Sequence, residues 1–382
     1  MSQLNYKAQI LPRVKRIVVK VGSAVLSDTD GLRSDVIDRL AADIDGAIAA
    51  GREVIVVTSG AVAAGRARLK KLHGATIAVR QAAAAAGQIE LMGNWARAFG
   101  AHGRIVAQLL LTHQDLAERR RRQNAGATIT ALLAAGVIPI VNENDTVAVE
   151  EIRLGDNDFL SSLVATLVQA ELLVMLSDVT GVLTGDPHKR PDARLIALIT
   201  DPEAAMSGLV AEGSGPLGSG GGMATKLRAA REAARAGIAS VIAPGREAGV
   251  LAAVLDAERE CGTLIVPTGA KLKSRKHWIA FALRPAGALG VDRGAADALR
   301  TRGRSLLPSG IREVRGEFAL GECVSLLDPE GVEFGRGLVN YPAADVLKLM
   351  GRRSAEIASL IGYKLADEII HRDNFVLLKE IG

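Results

Sequence analysis

Residues 141–158, VNENDTVAVEEIRLGDND, decide how the N-terminal two thirds of the chain is read; nine of the eighteen are Asn, Asp or Glu. They follow an apolar run, 136–140 (GVIPI), that reads as a buried parallel strand, and they precede residues 159–170, whose spacing predicts a helix. Strand, polar loop and helix form the repeating unit of wound α/β sheets, which hold ligands at the carboxyl ends of their strands. Asn and Asp also form ordinary turns, so the stretch alone fits a bare loop equally well. What favours a site is that Gly155, Asp156, Asn157 and Asp158 stand immediately before a helix, whose N-terminus attracts anions.

Toward the N-terminus the same unit recurs. Residues 16–23 (RIVVKVGS) predict a β-branched strand that ends in glycine, with Lys20 the only charge inside its apolar section. A lysine there blunts an edge strand or reaches a phosphate, and a strand this apolar on both faces favours the phosphate. Ser34 reads as the cap of a helix over 35–50 that Gly51 ends. Strand 54–58 runs into Ser59-Gly60 and an alanine-rich helix, either a backbone N–H site for an anion or a plain turn. Residues 78–99 predict a helix without chemistry, and 105–111 another strand. The next helix carries Arg119, Arg120, Arg121 and Arg122, read as a solvated face.

Toward the C-terminus, strand 172–176 opens into Ser177, Asp178 and a small, hydroxylated segment that suits a base and ribose or a simple Gly-Pro loop. Residues 213–222 (GSGPLGSGGG) lead through Met223, Ala224 and Thr225 to Lys226 and a helix. Glycines allow close backbone approach, the helix start supplies N–H donors, and Lys226 adds a charge. The order is not that of a P-loop. Two last strands fall at 240–243 and 262–267. The whole predicts an α/β, doubly wound, mainly parallel sheet over 1–267. A basic linker (268–277) follows, then short strands with glycine turns at 278–353, as in a small β-barrel, and a polar tail (354–382).

Composition agrees. At 382 residues the chain needs two or three domains, and with aromatics at 3% the core must come from Ala, Val, Leu and Ile. Cys261 and Cys323 match no metal spacing and fit a reducing, cytoplasmic setting. No apolar run approaches the ~20 residues of a membrane helix, and residues 1–12 lack a secretory centre. A net charge of +5 permits a polyanionic partner without requiring one.

The combination of 19–23 (VKVGS), 57–61 (VTSGA), 141–145 (VNEND), 155–158 (GDND), Ser177-Asp178, Gly181 with Asp186-Pro187, and 220–226 (GGGMATK) resembles the glutamate 5-kinase family, enzymes of the amino-acid-kinase fold with a C-terminal PUA domain. The resemblance covers nearly the whole chain. It implies phosphoryl transfer from ATP, with Mg²⁺, to the side-chain carboxylate of L-glutamate, opening proline biosynthesis. Residue by residue it implies Lys20 on the transferring phosphates, Lys226 on the nucleotide side and Asp158 holding both lysines in register, with Asp156 beside it. Ser59, Asp145 and Asn157 match glutamate-binding positions. Ser177, Asp178, Gly220, Gly221, Gly222, Met223, Ala224, Thr225 and Lys226, with Lys20, match the ATP site. No protein-held metal site is implied. The resemblance also implies proline as feedback inhibitor, a homo-oligomer (dimer or tetramer) and hand-over of product to glutamyl phosphate reductase. The sequence departs from the family where 215–222 reads GPLGSGGG in place of a tighter GTGG. A competing class is an RNA-binding protein using its PUA module, which predicts salt-sensitive RNA binding without ATP turnover; few aromatics are available there for stacking.

Overall fold

Ile17, Val18, Val19 and Val21 are fully buried, on both faces of strand β1 (Arg16–Val21), as β-branched residues of a central parallel strand should be. The computed structural model describes residues 2–69, 74, 76–148, 156–185, 192–211, 222–267, 279, 283 and 285–378. The chain divides into two units, Met1–Lys271 and Leu272–Gly382.

In the first unit β1 is followed by a hairpin of β2 (Ser27–Asp28) and β3 (Gly31–Leu32), then β4 (Glu53–Val57), β5 (Val106–Leu111), β6 (Ile138–Glu143), β7 (Leu172–Ser177), β8 (Leu198–Ile199), β9 (Ala239–Pro244) and β10 (Thr263–Ile265). The sheet order is β5-β6-β4-β1-β7-β9-β10-β8, with β9 against β10 the antiparallel junction. Strand β1 lies between β4 and β7, in register Lys20↔Val57 and Lys20↔Met175. The α/β, mainly parallel architecture expected from the sequence is present.

Several boundaries differ from the sequence reading, each for a physical reason. Strand β6 does not stop at 140 but continues through Asn142 and Glu143, because its ladder with β5 runs on to Leu110↔Asn142 and Leu111↔Glu143. The helix expected at 159 starts at Asp156 (Asp156–Leu167), so its acids belong to the first turn and do not precede it. Ser34 is the first residue of helix Ser34–Ala49, which has no side-chain cap; its hydroxyl bonds Asn94 Oδ1 at 2.7 Å instead. Arg119 opens a new helix, Arg119–Ala134, whose first amides donate to the Glu118 carboxylate, and Arg121 pairs with Asp115 and Glu118.

Helices Ala61–Arg68 and Ile77–Gly100 cross backbone to backbone. A Cβ added at Gly87 would lie 1.9 Å from the Ala61 carbonyl oxygen, and one at Gly65 would lie 1.7 Å from that of Ala83. Only glycine permits this crossing. Trp95 of the longer helix, fully buried, donates from Nε1 to Thr58 Oγ1 (3.0 Å) and so tethers that helix to the end of β4.

The second unit has its own sheet, β12-β11-β13-β14-β15, from β11 (Gly287–Val291), β12 (Ile311–Gly316), β13 (Cys323–Leu327), β14 (Glu333–Leu338) and β15 (Phe375–Leu377). Its core gathers Leu289, Phe318, Val324, Leu326, Phe334 and Tyr341. Residues from 354 on, read from sequence as a tail, supply the last strand: Phe375 pairs with Gly337 and Leu377 with Gly335. The strand read at 278–281 and the basic linker lie outside the described residues, apart from Ile279. Among the described residues no helix is long and apolar enough to cross a membrane.

Candidate active site

The carboxyl ends of β1, β4, β6 and β7 surround the first turn of helix Asp156–Leu167, and there a cavity of about 360 Å³ opens. Eight of the site residues named from sequence line it, and they separate into two walls.

One wall is charged. Alternation along β1 puts Lys20 on the face that meets helix Asp156–Leu167, where its ammonium pairs with Asp158 Oδ1. Lys226, in the second turn of helix Met223–Arg235, lies 3.9 Å from Asp158 Oδ2, and Thr225 Oγ1 donates to that same oxygen at 2.7 Å. Lys20 and Asp158 are each only 5% exposed, so neither is screened by bulk water. Burial lowers the Lys20 pKa from the ordinary lysine value, with Asp158 working against it. Burial alone would raise Asp158; Lys20, Lys226 and Thr225 outweigh it and hold the carboxyl below 3.8. Ser177 closes β7 and donates to Asp178 Oδ1 (3.0 Å), and both line the cavity on this side. Gly222 is the extended N-cap of helix Met223–Arg235; Met223 and Ala224 begin that helix. Gly220 and Gly221 lie outside the described residues, as do Gly155 and Asp186-Pro187.

The other wall, neutral in its hydrogen-bonded amides and hydroxyl, also carries the carboxylates of Glu143 and Asp145. Asn157 Nδ2 donates both its hydrogens, to Ser59 Oγ and to Asn142 Oδ1, each at 3.1 Å. Ser59 stands at the end of β4, followed by Gly60 in the left-handed region (φ 104°), which turns the chain into helix Ala61–Arg68. Asp145 follows β6 and lines the cavity with Asn142 and Glu143.

The profile of the amino acid kinase family matches residues 15–244, and that of the PUA domain matches residues 287–361. A glutamate 5-kinase from Citrifermentans bemidjiense is 47% identical over 377 residues, covering 97% of this chain and 100% of the relative. One from Geobacter sulfurreducens is 48% identical over 375 residues, covering 97% and 100%. The chain belongs to the glutamate 5-kinase family.

Four further residues bear on the site of this glutamate 5-kinase family member, three of them lining the cavity. Asn142 and Glu143 lie beyond residue 140, where the sequence predicts the strand to end, and the ladder with β5 carries them into it. Arg80, exposed near the start of helix Ile77–Gly100, lines the cavity. Gln88, on the same helix, reaches Asn142. A signal for Gln88 was available: residues 84, 88, 91 and 95 share one helical face, and Ala84, Leu91 and Trp95 on it are buried. A polar side chain on an apolar face calls for a partner. Thr225, expected on the nucleotide side, has its hydroxyl within hydrogen-bond distance of both Asp158 Oδ2 (2.7 Å) and the Gly222 carbonyl (2.8 Å).

Proposed function

We infer that the first unit transfers the γ-phosphoryl group of ATP to the side-chain carboxylate of L-glutamate, giving L-glutamyl 5-phosphate and ADP, the first step of proline biosynthesis. The observation that carries this reading is the buried Asp158 carboxylate shared by Lys20 and Lys226 at a cavity with one charged and one neutral wall.

The acceptor carboxylate is already ionised at neutral pH, so no base need remove a proton. A carboxylate oxygen forms the new P–O bond while the bond to the β,γ-bridging oxygen breaks, and charge spreads over the phosphoryl oxygens in flight. Two anions must therefore be held together, and fixed positive charge is what the protein supplies. Asp158 keeps both ammonium groups aimed before substrate arrives; Thr225 fixes the carboxylate in turn. Asp145 offers the substrate ammonium a counter-charge, and Arg80 offers a carboxylate a guanidinium. Ser177, Asp178 and the start of helix Met223–Arg235 form the nucleotide side.

Mg²⁺ fits this donor set as an ion carried by the nucleotide. Magnesium is usually held by one or two carboxylates together with phosphates and water, and Asp178 supplies an exposed carboxylate beside Ser177. Among the described residues no cluster of three acidic, His or Cys side chains forms a cage of its own. When bound, the ion neutralises phosphate charge. We extend the reading to a cytoplasmic homo-oligomer inhibited by proline at the glutamate side, which passes its acyl phosphate to glutamyl phosphate reductase. Exposed Ile89, and Ile105 and Leu110 beside or within edge strand β5, support self-association.

The test is hydroxylamine trapping with MgATP. Acyl hydroxamate formed from L-glutamate, and not from L-aspartate or N-acetylglutamate, is the expected result; turnover confined to another acceptor rejects the assignment. Addition of proline to the same assay tests the inhibition.

A further inference from the structure

The neutral wall is a relay of amides whose direction is set by one backbone group. The Glu143 backbone N–H, which can only donate, faces Asn142 Oδ1 at 2.9 Å. That contact fixes which way the Asn142 amide is turned, so its Nδ2 must point away, and it donates to Gln88 Oε1 at 2.7 Å. Asn142 Oδ1 also accepts from Asn157 Nδ2, whose second hydrogen goes to Ser59 Oγ. Both hydrogens of Asn157 are thereby used, and its Oδ1 is left as a buried acceptor without a protein partner among the described residues. Turning Asn142 or Gln88 over would set donor against donor, and turning Asn157 over would set acceptor against acceptor at Asn142 Oδ1.

We propose that Gln88 is a positioning residue: its carbonyl takes the Asn142 amide hydrogen, and the relay so locked presents Asn157 Oδ1 to the ammonium group of the amino-acid acceptor. Gln88 touches neither reactant. It acts through Asn142 and then Asn157, and its place on helix Ile77–Gly100 is held by the Gly65 and Gly87 crossing and by the Trp95 to Thr58 bond. The acceptor atom adds a directed hydrogen bond to the counter-charge of Asp145, and the two together distinguish glutamate from a dicarboxylate of the same length that lacks the amine. This inference rests on glutamate being the phosphoryl acceptor.

The experiment compares Gln88→Met, which keeps the length and removes the acceptor, with Gln88→Glu, which keeps an acceptor oxygen, in the full chain. Steady-state rates are measured with L-glutamate and with glutarate. The unmodified protein is first confirmed to phosphorylate glutamate; its failure to do so rejects the functional reading itself. In Gln88→Met the preference for glutamate over glutarate in kcat/KM is expected to fall about tenfold, the size of one hydrogen bond to a charged group, while KM for ATP stays within about twofold. Gln88→Glu is expected to retain the preference. A Gln88→Met protein with normal preference overturns the proposal, and so does equal loss on both acceptors with Gln88→Glu no better than Gln88→Met, since a general packing defect would not sort substrates by their amine.

Discussion

The two walls of the cavity solve opposite problems with different chemistry. On one, Lys20 and Asp158 are buried together with half-buried Lys226 beside them, so positive charge is in place for the phosphates of the proposed reaction. On the other, Gln88, Asn142, Asn157 and Ser59 hold no charge, and orientation is what they store. Buried charge is expensive unless paired, which is why Asp158 serves two cations and a hydroxyl at once. Buried amides cost less where they bond one another, and each partner then dictates the next, although Gln88 Nε2 has no partner among the described residues. The charged wall should therefore govern the rate of transfer, and the neutral wall the choice and binding of acceptor.

The sharpest way to break this division is Asp158→Ala, which leaves two ammonium groups facing each other without a counter-ion. Its kcat is expected to fall by at least about a thousandfold, with about 3–5 kcal/mol of stability lost in denaturant titration. A protein that kept its kcat would remove Asp158 from the transfer step. Asn157→Leu probes the other wall: KM for glutamate should rise about ten- to a hundredfold, with KM for ATP nearly unchanged. If KM for ATP rose in parallel, the two walls would not be separable.

Gly87→Ala tests the frame behind the neutral wall. Its Cβ meets backbone and not a flexible side chain, so the helices must separate; about 3 kcal/mol of stability and a raised KM for glutamate are expected. The pH dependence follows from Asp158. Its folded pKa lies below the ordinary 3.8, so the unfolded chain takes up the proton first; the stabilisation is complete above about pH 4 and lost as pH falls through the folded value. Asp158→Asn should flatten the fall of Tm with pH in that acid range and leave the slope near neutrality alone. Smallest of all is Glu313→Ala in the second unit, where Glu313 and Arg315 pair in full contact with water. No resolvable change in Tm or in either KM is expected.

Much of the frame was legible because its signals are local. Apolar runs gave β1, β4, β6 and β7, and polar residues in or just beyond them gave Lys20, Ser59, Asp145 and Ser177 as site candidates. What sequence reading lost depends on contacts between distant elements. Asn142 and Glu143 belong to β6 because β5 continues the ladder beside them, and no property of residues 136–143 alone announces that. The apolar helical face around Gln88 calls for a partner, but only the fold shows that partner to be Asn142, 54 residues away. The last strand of the second unit was hidden by the polar, turn-rich residues around it, and its pairing with β14 supplies what its three residues lack in length.

The position of β1 also bears on how the chain is made. It ends at Val21, and its neighbour β7 begins at Leu172, 151 residues later. At about 5–20 residues per second a ribosome takes roughly 8–30 s to cover that interval. Through that time a segment reading IVVKV stands without its second neighbour, and such β-branched runs readily pair with other chains. Its single charge is then a deterrent to misassembly, since an unpaired lysine opposes cross-chain stacking. We expect the side chain proposed to meet phosphate to guard the nascent strand first, so that its substitution by an apolar residue lowers soluble yield as well as rate.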